Sequence, residues 1–343
     1  YGMNELNHRW YDGTGDKTDW NLYGKTYLSL TPEMTTFLDI QVRGIEHVIT
    51  GTDAYSRDIG QAHSFLFFNP KMGVNYQLAP GQQVYASVAR SNREPNRNNY
   101  TDAGPASPEP RKESMIDYEA GYSLKGSTFQ GAVNLYYMDY YDQLVLTGQI
   151  NEVGYPIMTN VARSYRAGME LSGAVNLPAG IRWAGNVTLS RNRIEEFVNY
   201  VDNWDYWNDP ANEPFQVVDT VGDTPLAFSP PVIANSQLYY EPFRGLSVGW
   251  IAKYVGKQYI DNTGNDRYAL NPYFVNDLQL AYTLTPEWAK EITVSLLVAN
   301  LFDAAYETNA WLYRYYYGGQ EYAMDGFYSQ AGRHFMAGLT VKF

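Results

Sequence analysis

Tight turns and long loops alternate strictly along this chain. Short Pro/Gly turns fall near positions 32, 80, 125, 179, 243 and 287. They include Thr31-Pro-Glu-Met34, Ala79-Pro-Gly-Gln82 and Glu241-Pro-Phe-Arg-Gly245. Proline presets φ and glycine tolerates φ above zero, so each such stretch reverses the chain at little cost. Between the turns lie long loops: Thr50 to His63, Asn92 to Arg111, a loop ending near Pro156, Asn199 to Asp223, Ile260 to Asn271, and Glu307 to Ala331. Asp12 to Asp16 also reads as a loop, with the first full strand from Thr18 to Leu30. The connecting segments run to about 12–18 residues, well above the globular strand mode of roughly 5–6.

Those segments alternate in polarity. Ile292, Val294, Leu296 and Val298 share one face, with Thr293, Ser295 and Ala299 on the other. Phe335, Ala337, Leu339, Val341 and Phe343 oppose His334, Gly338, Thr340 and Lys342. Side chains on a strand point alternately to its two faces, so each run is a strand with one apolar face. Aromatic residues Tyr76, Tyr122, Trp183, Tyr240 and Tyr282 lie on that face close to the tight turns. Long strands, short turns at one end, long loops at the other and an aromatic girdle describe an outer-membrane barrel. A soluble sandwich would use shorter strands and similar turns at both ends. The expected fold is therefore an all-β transmembrane antiparallel β-barrel, of which about 13–14 strands are present. Leu38, Val74, Val133, Val187, Val248, Leu280, Val294 and Leu339 are expected to face lipid, and Asp39, Asn75, Asn186 and Asp277 the interior.

Composition narrows the function classes. The 343 residues carry 25 basic and 37 acidic side chains, a net −12, which argues against nucleic acid as a partner. With no cysteine, disulfides and thiolate metal sites are excluded. A mean hydropathy of −0.42 leaves no room for a helical membrane protein. No signal peptide is visible at Tyr1, so a mature or truncated chain is expected.

Several motifs resemble those of TonB-dependent outer-membrane receptors. Asn300-Leu-Phe-Asp303 with Tyr306 is similar to a motif near the C-terminus of that family. Tyr85 to Arg90 followed by Arg93-Glu-Pro-Asn96, Tyr118-Glu-Ala-Gly-Tyr122, Arg166 to Leu171 and the terminal Phe343 resemble further recurrent elements. The likeness runs from about residue 64 onward. The resemblance implies a 22-stranded barrel filled by an N-terminal plug. This sequence shows no plug-like or TonB-interacting segment. Residues 1–343 are accordingly expected to be the C-terminal part of such a barrel, with the plug and roughly the first eight strands lying upstream. The partners implied are the TonB complex through the plug, outer-membrane lipid and a small-molecule substrate. A surface lipoprotein is a further candidate.

The chemistry points to binding rather than catalysis. His8, His47, His63 and His334 form no zinc motif, and no Gly-x-Ser-x-Gly elbow occurs. No cofactor or metal is expected. Asp261-Asn-Thr-Gly-Asn-Asp266 offers oxygen ligands at short spacing but lacks the closing Glu of a calcium loop. Two loops concentrate aromatics, Trp204-Asp-Tyr-Trp207 and Trp311 to Tyr317. Rings on a solvent loop either pack together or serve as anchors for a ligand or partner. Trp204, Tyr206, Trp207, Tyr313, Arg314 and Tyr316 are expected to contribute to substrate or partner capture. Arg93 and Arg97 are candidates for an anionic ligand. Loops poor in His favour a siderophore or cobalamin-like ligand over haem. A complete 14-stranded passive channel, or a scaffold subunit of a surface complex, is the alternative to an energised importer.

Overall fold

The computed structural model describes residues 12–53, 57–102, 108–150 and 155–343. Its strands are β1 (Asp12–Ser29), β2 (Met34–Thr52), β3 (Gln61–Ala79), β4 (Gln82–Arg93), β5 (Glu113–Lys125) and β6 (Phe129–Ile150). Then come β7 (Pro156–Leu177), β8 (Ile181–Asn203), β9 (Gln216–Pro225), β10 (Val232–Phe243), β11 (Leu246–Val255) and β12 (Gln258–Tyr259). The last are β13 (Ala269–Leu270), β14 (Tyr273–Leu284), β15 (Glu291–Ala299), β16 (Glu307–Tyr317), β17 (Gln320–Ser329) and β18 (His334–Lys342). One short helix, α1 (Arg97–Thr101), lies between β4 and β5. No helix among the described residues is long and apolar enough to cross a membrane.

One antiparallel meander carries the architecture, in the order β1-β2-β3-β4-β5-β6-β7-β8-β10-β11-β14-β15-β18. All six tight turns sit between neighbouring strands of this path at one end. Among the described residues β1 and β18 are its two edges and do not pair with each other. A pairing of the last strand with residues 1–11, which would favour a complete passive channel, lies outside the described residues.

Register puts the expected residues on common faces. Leu38 pairs with Met72, Tyr76 with Val84, Val133 with Leu171, Val187 with Ala234, Val248 with Leu280, and Val294 with Leu339. This apolar face is open: Leu66, Leu135 and Leu339 are 67%, 52% and 68% exposed. A water-soluble sheet would bury such a face, because large continuous apolar surfaces are not left in water. The band has sharp limits. Going from the turns toward the loops, the outer face of β6 reads Phe129, Val133, Leu135 and Tyr137 before reaching Asp139. Asp139 pairs with Arg163 of β7 at 3.0 Å. Tyr118, Tyr137 and Tyr165 stand side by side at this upper limit, with ring centroids 6.5 and 5.8 Å apart. They form a second girdle, opposite the one near the turns.

The other face is polar. Asn186 and Asn235 bond at 3.0 Å, and Tyr85 donates to Asn134 at 2.6 Å. Glycine makes room for inward rings here. A Cβ on Gly121 would lie 2.3 Å from the ring of its cross-strand partner Tyr85, and one on Gly168 2.5 Å from Tyr136 Oη. The glycines of Tyr118-Glu-Ala-Gly-Tyr122 and Arg166-Ala-Gly-Met-Glu-Leu171 are thus seats for aromatic side chains.

Several of the expected loops turn out to be partly strand. Asp12–Asp16 and Thr50–Thr52 belong to β1 and β2, whose register runs unbroken from Ser29↔Thr35 to Asp12↔Thr52. Glu307 to Ala331 is mainly the β16–β17 hairpin, and Asn199 to Asp223 contains the end of β8, a single 3-10 turn at Trp204–Trp207 and most of β9. Above the band both faces of a strand are wet. Polar composition there no longer separates strand from loop. The buried apolar clusters lie in this region too: Val145, Val161, Ile194, Phe197 and Leu226 in one, Ile260, Tyr268, Leu270, Ala310 and Leu312 in the other.

Candidate functional site: the mouth at the long-loop end

The two aromatic loops meet. β16 runs parallel to the end of β8, pairing Tyr315 with Asp202 and Tyr316 with Asn203. Trp204 stacks on Tyr315 at 4.1 Å, and Tyr315 stacks on Tyr322 at 5.6 Å. Trp204 Nε1 donates to Tyr313 Oη at 3.1 Å, and Tyr313 Oη donates to Asp202 at 2.9 Å. Burial pushes the Tyr313 phenol up to about 12, with Asp202 adding to the shift, so it remains a donor across the working pH range. Asp205 accepts the amides of Gly318 and Gly319 at 2.9 and 3.1 Å. Both glycines have positive φ, as a two-residue hairpin turn requires, and the two bonds to Asp205 fix the hairpin tip to the 3-10 turn. Tyr206, Trp207 and Phe215 form an adjoining edge-to-face cluster.

Arg314 points away from this surface. It is 8% exposed and donates to Asn199. It lies 3.5 Å from Asp261 and 3.4 Å from Glu321, and 5.7 Å above the Tyr268 ring. Its charge is taken up inside the mouth rather than presented outward. Asp261 shares this buried position, and its other oxygen accepts from Thr263. Asn262 donates to Leu146 O and accepts from Ala227 N, while Asp266 pairs with Lys257 at 2.6 Å. Most side-chain oxygen atoms of this loop are engaged in bracing it, and the free Asp261 oxygen faces Arg314. Among the described residues no group of three or more acidic or His side chains is placed to hold a metal ion.

Arg93 and Arg97 lie elsewhere, around a cavity of about 660 Å³ lined also by Lys17, His47, Glu94 and Leu144. Glu94 bonds Lys17 at 2.5 Å and lies 3.4 Å from Arg43. Burial raises its carboxyl, but these two cations outweigh that and hold it below the usual range. Arg93 pairs with buried Glu113 at 2.5 Å. Asn96 caps α1 reciprocally with Asn99.

Tyr100 of α1 fixes this loop to the wall. Its ring stacks on His63 at 3.9 Å and meets His47 edge-on at 6.5 Å. His47 and His63 are direct cross-strand partners. Burial lowers the His63 pKa, Glu109 raises it and His47 lowers it, leaving it below the ordinary 6.5. The folded state therefore favours neutral His63. Docking is strongest above about pH 6.5 and weakens as pH falls through the folded pKa. In the full receptor, Arg97–Thr101 amides, corrected for intrinsic exchange, are expected to lose protection between about pH 7.5 and about pH 5. The His63→Gln variant is expected to abolish the difference; an unchanged difference would show that His63 does not cause it.

The Asn300 motif ties the root of the β16–β17 hairpin. Asn300 has φ 50° and is 3% exposed. Its side chain accepts from Ala304 N at 2.9 Å and donates to Ala304 O and Ala331 O at 2.9 and 3.2 Å. Its own amide donates to Asp277, and Asp303 accepts from Arg333 N at 2.7 Å. Left-handed φ suits Asn, and the carboxamide supplies donor and acceptor together. Asn300→Ala is expected to cost about 1–3 kcal/mol through unpaired backbone groups. Thermal unfolding measures it, with Asn300→Gly separating the φ effect from the lost bonds. Values within about 0.5 kcal/mol of wild type would mean the latch is dispensable.

Residues 2–301 match the family description "TonB dependent receptor-like, beta-barrel". The chain belongs to that family. It is a family of outer-membrane transport receptors rather than enzymes. The receptor barrel also resembles solved structures. Against the siderophore receptor PiuA from Acinetobacter baumannii the TM-score is 0.71 at 16% identity, covering 96% of this chain and 43% of that one. Against the ferric citrate transporter FecA it is 0.70 at 14% identity, covering 96% and 46%. For the ferric-catecholate import receptor Fiu from E. coli K12, closed form, it is 0.67 at 17%, covering 95% and 44%. At such identities the likeness speaks for the fold alone. The chain spans less than half the length of each of these proteins. No functionally curated protein matches it in sequence.

Proposed function

We propose that this chain is the C-terminal barrel portion of a TonB-dependent importer in the outer membrane of a Gram-negative cell, taking up a scarce iron chelate. The observation that carries the reading is the cavity at the long-loop end, where Arg97 stands with Lys17, Arg93 and His47 and the carboxylate Glu94 is already taken up by Lys17 and Arg43. Guanidinium and ammonium groups suit the carboxylate or catecholate oxygens of an anionic chelate. Cobalamin offers less such charge, so the siderophore class is favoured. PiuA is described as a siderophore receptor and FecA as a ferric citrate transporter, which supports the same class. Energy would come from the TonB complex acting through a plug, and lipid would cover the apolar band. Trp204, Tyr206, Trp207 and Tyr313 form a second, separate capture surface, and Arg314 and Tyr316, on the opposite face of β16, brace it from behind.

The test uses the full receptor with ferric citrate, a ferric catecholate and cyanocobalamin as probes. Saturable binding of one iron chelate is expected, weakened about tenfold in Arg97→Gln and restored in part by Arg97→Lys. Uptake is expected to stop in cells without TonB. Binding of cyanocobalamin alone, or equal affinity in Arg97→Gln, would overturn the ligand assignment.

A further inference from the structure

The aromatic capture surface is framed by negative charge without matching cations. Trp204, Trp207, Phe215 and Tyr322 are 41%, 71%, 55% and 43% exposed. Around them stand Asp202, Asp205, Asp209, Glu213 and Asp219, and no Lys or Arg occurs between Arg193 and Arg244. Among the described residues none of these five carboxylates forms an ion pair; their partners are amides, a phenol and neutral side chains. Arg314, the one cation of the β16–β17 hairpin, is buried against Asp261 and Glu321. The surface therefore presents exposed ring faces framed by unneutralised acid.

We propose that this face docks a basic segment of a partner polypeptide, one carrying Lys or Arg with apolar neighbours. Aromatic faces attract ammonium and guanidinium groups through the ring quadrupole, and apolar stems of Lys and Arg cover the rings. Carboxylates at the rim steer such a segment and exclude acidic ones. The cavity on β1, β2 and the β4–β5 loop is lined by Lys17, Arg93 and Arg97 against one carboxylate, Glu94, so its net charge is opposite to that of this face. A small organic cation fits less well. The rings that could cage it, Trp204 and Tyr315, are already closed on each other at 4.1 Å. What remains is outward surface, which suits a macromolecule. The inference rests on the reading of the aromatic loops as a capture surface and needs nothing from iron import.

The test uses the full receptor in detergent, with a synthetic peptide alternating Lys and Leu, its Glu–Leu counterpart, and tetramethylammonium. The Lys peptide is expected to shift tryptophan emission saturably, and the Glu peptide is not. Trp207→Ala with Phe215→Ala is expected to weaken Lys-peptide binding about tenfold. Asp209→Asn, Glu213→Gln and Asp219→Asn together are expected to do the same. Equal binding of the Glu peptide overturns the proposal. So does an effect of the charge variants without any effect of the aromatic ones, which would mean a non-specific acidic field. Saturation by tetramethylammonium at matching concentrations would replace the polypeptide by a small cation. If the multiple variants fail to assemble, the salt dependence and competition of the two peptides on wild type decide the same question. Ferric citrate binding is followed in parallel with Arg97→Gln, so failure here and failure of the chelate site are separately visible.

Discussion

Replacing Arg314 by Ala is expected to cost about 3–5 kcal/mol, far more than a surface pair at about 0–1. The guanidinium is buried between Asp261 and Glu321, and Asp261 is itself 3% exposed. One Asp261 oxygen lacks any hydrogen bond and relies on the nearby Arg314 charge. Removing that charge strands a carboxylate away from water. Asn199 on β8 would lose its donor as well. The hairpin would then lose its tie to the Asp261 loop and one of its bonds to β8. Limited proteolysis near Tyr316 and thermal unfolding measure the effect. A double change, Arg314→Met with Asp261→Asn, is expected to recover much of the loss, since the orphan charge is gone. A single-variant cost near that of a surface pair would show that water still reaches this position.

Leu135→Arg is the second large effect. Leu135 sits midway along the outer face of β6, between Val133 and Tyr137, and is 52% exposed. An arginine at the mid-plane of a barrel's lipid face costs about 2–4 kcal/mol, because the guanidinium loses water or must thin the bilayer. Ala132→Arg in the same strand points to the polar face beside Ser172 and Ser123 and is expected to cost less. Folding into lipid vesicles under a denaturant series compares the two. Equal costs, or a larger cost for Ala132→Arg, would invert the assignment of the faces.

Much of the barrel was readable from the chain because its determinants are local. A period of two fixes which residues share a face, and Pro/Gly turns fix where a strand reverses. Hence Val74, Val187, Leu280 and Leu339 fall together on one face in the register, and Asp39, Asn75 and Asn186 on the other. The sequence also located two aromatic loops and the Asn300 motif. It did not reveal what they touch. Trp204 and Tyr315 are 111 positions apart in a chain whose neighbouring strands pair locally. Only the way the loops of β8 and β15 lean over the mouth stacks them. Arg314 lies between Tyr313 and Tyr315 in an exposed-looking run, yet strand alternation in β16 turns it inward onto Asp261. Composition states how much ring and charge a loop carries. Which of it faces solvent depends on contacts between segments far apart in sequence, and those exist only once the sheet is assembled.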